Sequence, residues 1–162
     1  MKKIVYVDMD GVVADFGLAI KTLSLEKINE DISSIEDDIL RGELIDRFCE
    51  EHNYIFSIVP PIEGAIEAVT KLQKKYDVYF LSTPMWGVPQ SFTDKRLWID
   101  KYFGISSEKR LILTHRKDLN IGEYLIDDRL KNGAGEFKGE HIHFGTEKYP
   151  NWDSVLNYLL AQ

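Results

Sequence analysis

Cysteine is almost missing from this chain: Cys49 stands alone among 162 residues. One thiol excludes an internal disulfide and any zinc site built on several cysteines, and it suits a reducing compartment. Cys49 follows Phe48 in a helical pattern, where packing is its expected role. Long apolar runs are missing too, since none approaches the ~20 residues that span a bilayer. Met1-Lys2-Lys3 leads into only a few apolar residues before Asp8, so neither a signal peptide nor a membrane anchor is expected, and a cytoplasmic location is. Positive charge is scarce, with 20 Lys and Arg against 27 Asp and Glu and a formal net charge of -7. Nucleic acid, which selects for a basic face, is therefore not an expected partner. The imbalance is sharpest over residues 16 to 62, a poor surface for DNA, RNA or anionic lipid.

What the chain does have is centred on Asp8-Met9-Asp10-Gly11-Val12-Val13-Ala14-Asp15. Ile4-Val5-Tyr6-Val7, just ahead of it, is short, apolar and β-branched, the pattern of a strand buried on both faces inside a parallel sheet. Two acids thus sit where a strand stops. Asp8 and Asp10 are two positions apart, so residual extended geometry points both carboxylates the same way, and Gly11 permits a tight turn and close approach to a ligand. Like charges this close raise one another's pKa unless a cation or substrate is held between them.

Beyond Asp15 the chain reads as helices for a long stretch. Gly17 to Leu23 has helical periodicity, Ser34 with Asp37 three residues later resembles an N-cap, and a helix is expected from about Ile35 to His52. Its apolar face is Ile35, Ile39, Leu40, Leu44, Ile45 and Phe48. No strand is expected in 16 to 62, which reads as a small helical cap closed by the hinge Val59-Pro60-Pro61-Ile62. From Glu63 onward helix and strand alternate. Strands are expected at Val78–Leu81, Leu111–Thr114, Tyr124–Ile126 and His141–Phe144; helices are expected around Ala65–Leu72, Phe92–Tyr102 and Trp152–Leu160. This predicts an α/β fold with a parallel five-stranded sheet and helices on both faces, a core made of 1–15 and 63–162, and a cap made of 16–62.

Polar residues follow the strands at three places: Asp8 and Asp10, Ser82 and Thr83, and Asp127 and Asp128. All then lie at the carboxyl ends of the sheet, where open α/β folds bind ligands. A lone hydroxyl or acid pair there is usually a turn former, but three such groups converging on one crevice are not. His115, His141 and His143 show no metal-ligand spacing and read as surface residues, while Trp98 and Trp152 read as packing.

These residues resemble the haloacid-dehalogenase-like (HAD) phosphatases, and within them the 5'(3')-deoxyribonucleotidase family. The resemblance rests on Asp8-x-Asp10-Gly11-Val12, Ser82-Thr83-Pro84, the run Asp94-Lys95-Arg96-Leu97-Trp98 to Gly104, Leu125-Ile126-Asp127-Asp128-Arg129, and Pro60-Pro61-Ile62-Glu63-Gly64-Ala65, in that family's set. It implies a Rossmann-like three-layer core and hydrolysis of a phosphomonoester.

The chemistry accounts for the residue types. A phosphate dianion repels a carboxylate nucleophile, so attack by Asp8 requires cations; Mg²⁺, a hard ion preferring oxygen ligands, is the expected cofactor. Asp8 and Asp127 are its expected carboxylate ligands and the Asp10 backbone carbonyl a third. Lys95 is the expected phosphate-neutralising cation, with Arg116 and Lys117 as alternatives. Ser82, Thr83 and the backbone near Gly11 would hold phosphate oxygens. Asp10 would be general acid and then base, and Asp128 would position Lys95 or a metal-bound water. Phe16 and Trp86 follow strand ends and could flank the organic part of a substrate, with Phe48, Tyr54 and Phe56 as further aromatics.

The expected partner is a small phosphorylated molecule, a nucleoside monophosphate first, with a homodimer left open. Another phosphomonoester such as a sugar phosphate is the alternative, because the core motifs say little about the leaving group. A receiver-type signalling domain shares the ingredients, but it carries its acid pair early and its acceptor Asp on a middle strand, the reverse of this order.

Overall fold

The computed structural model describes residues 1–162. Strand β1 (Ile4–Val7) is followed by α1 (Phe16–Ile28), α2 (Asp38–Glu51), the single turn α3 (Ile55–Ile58) and α4 (Ala65–Lys75). Then come β2 (Asp77–Ser82), α5 (Gln90–Phe103), β3 (Leu111–Leu113), β4 (Tyr124–Asp127), β5 (Glu140–His143) and α6 (Trp152–Ala161). The five strands form one sheet of order β3-β2-β1-β4-β5, every neighbouring pair parallel. No helix is long and apolar enough to cross a membrane.

The chain moves outward from β1 through β2 to β3, then returns to the other side of β1 to build β4 and β5. That reversal opens a crevice at the carboxyl ends of β1 and β4. Asp8 and Asp127 stand on its two sides.

Strand residues alternate faces with period two. Val5, Val7, Val78, Phe80, Ile126 and Ile142 point into a large apolar cluster with the buried faces of α4, α5 and α6. Tyr6, Leu81 and Leu125 point the other way, onto Ala134 and Phe137. Helices were expected on both faces, but α-helices cover only the first; the second is covered by 3-10 turns at Lys117–Leu119 and Ala134–Glu136 and by loops. The segments linking β3 to β4 (114–123) and β4 to β5 (128–139) lie at the lower limit of about 10 to 12 residues for a crossover with its helix, and each forms a single 3-10 turn instead.

Residues 16–62 share the sheet's apolar core: Ile20, Leu23, Ile55, Phe56 and Val59 belong to the same buried cluster as Val7 and Phe80. Asp15 caps α1, its carboxylate accepting from the Leu18 N–H at 3.1 Å, and Asn29 ends the helix in the left-handed conformation. The start of α2 differs from the sequence expectation. Ser34 closes a short 3-10 turn capped by Asp31, and Asp37 is the α2 cap, accepting from Leu40 N at 2.9 Å. The expected apolar stripe is buried only at its C-terminal end, where Phe48 and Cys49 are enclosed; Ile39 is 77% exposed.

The two connections to this segment run side by side. Asp15 N donates to Pro60 O and Ile62 N to Val13 O, both at 2.8 Å. Two indoles brace the same region: Trp98 Nε1 donates to Val59 O and Trp152 Nε1 to Val12 O, each at 2.8 Å. Leaving such a buried donor unpaired costs about 1–3 kcal/mol, so both tryptophans do more than fill space.

Candidate active site

The turn after β1 is built on one carbonyl. Met9 O accepts from the N–H groups of Val12, Val13 and Ala14, and Gly11 adopts φ +81°, a conformation that costs a side-chain-bearing residue energy. A Cβ on Gly11 would fall 2.2 Å from Asp128 Oδ2, so glycine is required by space as well as by φ. The Asp10 carbonyl accepts no hydrogen bond in this turn.

Asp8, Asp127 and Asp128 each bring a carboxylate oxygen within 4.8 Å of the others. Lys117, only 3% exposed, reaches in from the 3-10 turn after β3. Its ammonium donates to Asp8 Oδ1 at 2.9 Å and to Asp127 Oδ2 at 2.5 Å. The other Asp127 oxygen accepts from Arg129 N at 2.9 Å. Asp128 Oδ1 is buried with no partner.

Burial pushes the Asp8 carboxyl up to about 6; the Lys117 ammonium pulls against it and Asp127 adds to it. Asp128 rises to about 6, through burial first and the Asp8 charge second. Asp127 is raised by burial despite Lys117. Burial works against the charge on Lys117, but Asp8 and Asp127 outweigh it and hold its pKa above the ordinary lysine value. Three acids sharing one ammonium leave an uncompensated all-oxygen donor set with an orphaned oxygen, which fits a hard divalent cation.

Lys95 serves a different acid. It is 1% exposed on α5 and donates to Asp10 Oδ2 at 2.7 Å and to Ser82 Oγ at 3.0 Å. It makes no bond to Asp128, so the expected positioning of Lys95 by Asp128 is not what the structure has. Arg116 points outward and pairs with Asp118. Thr83 Oγ1 is committed to Thr114 O at 2.8 Å.

Two clefts meet at these strand ends. One, of about 420 Å³, is lined by Asp8, Asp10, Lys117, Asp127, Trp86 and Phe56 among others; its larger neighbour, about 790 Å³, holds Gly11, Asp128, Arg41 and His143. Phe16 borders both and stacks on Phe56, ring centroids 5.3 Å apart and planes at 9°. Trp86 is 79% exposed at the rim, edge-on to His115. Phe48 and Tyr54 instead gather around His52, away from the clefts.

A family model described as 5' nucleotidase, deoxy (pyrimidine), cytosolic type C matches residues 2–151. The chain belongs to this deoxyribonucleotidase family. A Vibrio phage KVP40 protein that carries the provisional name 5'(3')-deoxyribonucleotidase is 48% identical over 161 residues, covering 99% of this chain and 86% of its own. The human cytosolic-type 5'(3')-deoxyribonucleotidase is 26% identical over 167 residues, covering 94% of this chain and 78% of its own. Among solved structures, the provisionally named HAD-hydrolase YfnB of Bacillus subtilis, bound to magnesium, superposes with a TM-score of 0.61 at 14% identity, covering 98% of both chains. That likeness shows the shared HAD fold. As a deoxyribonucleotidase-family member, the protein is a phosphatase.

Several residues lining these two clefts are not singled out as candidates in the sequence. Arg129, Lys131 and Asp46 line both clefts, and Met85 lies between them. His141 and His143, expected at the surface, are partly buried, and their Nε2 atoms bond the carbonyls of Asp127 at 3.1 Å and Asp128 at 3.0 Å. An alternating His-x-His in an edge strand is the only trace of this in the sequence.

Proposed function

We propose that the protein is a Mg²⁺-dependent nucleotidase that hydrolyses deoxyribonucleoside monophosphates through a phosphorylated Asp8, with residues 16–62 acting as a cap. The observation that carries this reading is the division of labour between two buried lysines, Lys117 on Asp8 and Lys95 on Asp10.

Asp8 and Asp127, with the Asp10 backbone carbonyl, would hold the metal, and Asp128 stands beside them. Mg²⁺ bound there supplies charge neutralisation for the phosphate dianion and its carboxylate attacker. Lys117 occupies Asp8 Oδ1, leaving Oδ2 to attack phosphorus while the ester P–O bond breaks. Asp10 gives its proton to the departing alkoxide. A water then attacks the aspartyl-phosphate, Asp10 takes the water's proton, and free phosphate leaves with Asp8 restored. Lys95, itself bonded to Ser82 Oγ, orients the Asp10 carboxyl through Oδ2 and leaves Oδ1 for both transfers.

The leaving group extends toward Phe16, stacked on Phe56, with Trp86 at the rim. An aromatic face suits a nucleobase, with stacking worth ~1–3 kcal/mol. The names of the relatives support a deoxyribonucleotide substrate, and the description of the family model supports a pyrimidine one. A pocket with no partner for the 2'-hydroxyl would discriminate against ribose.

The test compares kcat/KM for dUMP, dTMP, UMP and a hexose phosphate in wild type and Phe16→Ala. Deoxynucleotides are expected to lead, and Phe16→Ala should lower their kcat/KM about 5- to 150-fold while leaving the hexose phosphate unchanged. A hexose phosphate preferred over every nucleotide would establish the sugar-phosphate alternative instead.

A further inference from the structure

The metal-binding acids are held from behind by a pair of histidines that the proposed chemistry does not touch. His141 and His143 lie two positions apart on the edge strand β5 and therefore share a face. Their rings stack with centroids 5.2 Å apart and planes at 20°. In register, His141 lies opposite Leu125 and His143 opposite Asp127, so both side chains lean toward the carboxyl end of β4 to reach their carbonyls.

The two bonds have different weight. Asp127 O already accepts from Phe144 N at 3.0 Å, so His141 adds a second donor to a satisfied carbonyl. Asp128 O lies past the end of the ladder, and His143 Nε2 at 3.0 Å is its one donor. A carbonyl only accepts, so each Nε2 carries a proton in these bonds.

The Asp128 carbonyl and the Arg129 N–H belong to the same planar peptide unit. Arg129 N donates to Asp127 Oδ1 at 2.9 Å. The bonds therefore form a chain from the His143 ring through the 128–129 peptide to the Asp127 carboxylate. Donation at the oxygen end of a peptide polarises the unit and strengthens donation at its N–H end, and it fixes the plane in which that N–H points. With Lys117 on Oδ2, Asp127 is then restrained at both oxygens.

We infer that His143 is a positioning residue for the metal site, acting through the 128–129 peptide to orient the Asp127 carboxylate, with His141 as a lesser brace. The inference rests on the proposed metal role of Asp127. It assigns His143 no contact with substrate or metal. Partners of metal ligands typically contribute 10- to 100-fold to metal affinity, and with one peptide interposed the effect expected here is about 3- to 10-fold.

The test is Mg²⁺ binding to the metal-free protein by titration calorimetry, with the metal-free Tm recorded for each variant. His143→Leu removes the donor, whereas His143→Gln places an amide N–H close to where Nε2 lies. His143→Leu should bind Mg²⁺ about 3- to 10-fold more weakly, His143→Gln should return to within about twofold of wild type, and His141→Leu should lose less than His143→Leu. Half-saturating Mg²⁺ for activity should rise in His143→Leu. Wild-type affinity in His143→Leu overturns the inference, and so does a His143→Gln variant as weak as His143→Leu, which would mean packing rather than donation. Asp127→Asn separates the premise: if it binds Mg²⁺ as wild type does, Asp127 is not a ligand and the metal assignment itself falls.

Discussion

Lys117 and Asp8, 109 positions apart in the chain, are joined by a 2.9 Å bond that is buried beneath the cleft they line. The same ammonium bonds Asp127, so one cation holds the proposed nucleophile and a proposed metal ligand together. Removing one partner of such a buried arrangement leaves uncompensated charge, which costs about 3–5 kcal/mol.

Lys117→Met should therefore reduce kcat at least about 100-fold, because Asp8 loses the cation that favours its ionised form and opposes phosphate repulsion. Asp8→Asn should lose at least as much, having no oxygen able to form the acyl phosphate. Steady-state kinetics on one nucleotide check both. Asp8→Asn above about a hundredth of wild-type activity would rule out covalent catalysis.

Asp10 and Lys95 should show themselves through the leaving group. Asp10→Asn is expected to lose far more activity on alkyl phosphates than on p-nitrophenyl phosphate, whose departure needs no proton. Lys95→Met should tilt the same ratio more weakly, since it acts through Asp10. Pre-steady-state bursts distinguish slow phosphorylation from slow hydrolysis, and equal losses on both substrates in Asp10→Asn would remove it as the acid.

The acid cluster sets a pH dependence. Asp8 and Asp128, raised by burial to about 6, hold protons in the native state that the unfolded chain has released. Between pH of about 4 and 6 the native state binds more protons, so metal-free stability should fall as pH rises through that window. His141, lowered by burial, works in the opposite sense below its ordinary pKa, which makes Asp8→Asn the variant that isolates the acids' share. Calorimetric scans without metal should show that Asp8→Asn flattens the decline. Added Mg²⁺ should raise Tm more at pH 7.5 than at pH 5, because it competes with protons for the same oxygens.

Gly11→Ala tests the turn. A side chain at φ +81° costs roughly 1–2 kcal/mol, about 2–8 °C in Tm for a chain of this size. The added methyl also displaces the Asp128 carboxylate. Mg²⁺ affinity and kcat should fall together, and a variant with lowered Tm but unchanged Mg²⁺ affinity would show that Asp128 lies outside the metal's reach.

Much of this was legible along the chain because the signals are local. Short continuous apolar runs marked β1 and β4 as strands buried on both faces, and an acid directly after a strand must lie at its carboxyl end once the sheet is parallel. Thus Asp8, Asp127 and the hydroxyl of Ser82 could be placed on one rim from sequence. The start of α2 was misplaced because Ser34 and Asp37 are both good caps. Only the backbone shows that Ile35 is extended, with φ -65° and ψ 124°.

The sequence by itself determined the strand ends, the acids on them and hence the class of chemistry, since those depend on neighbours one or two residues away. Tertiary structure alone decided which lysine meets which acid, which aromatic backs Phe16, and that two histidines brace the Asp127–Asp128 turn. Lys95, on α5, and Lys117, in the turn after β3, both reach the carboxyl rim of the sheet, and a four-carbon side chain can swing to either acid. The choice is made by the paths of α5 and of the turn after β3, which pass on opposite sides of β1's end: one delivers Lys95 to Asp10 and the other delivers Lys117 to Asp8.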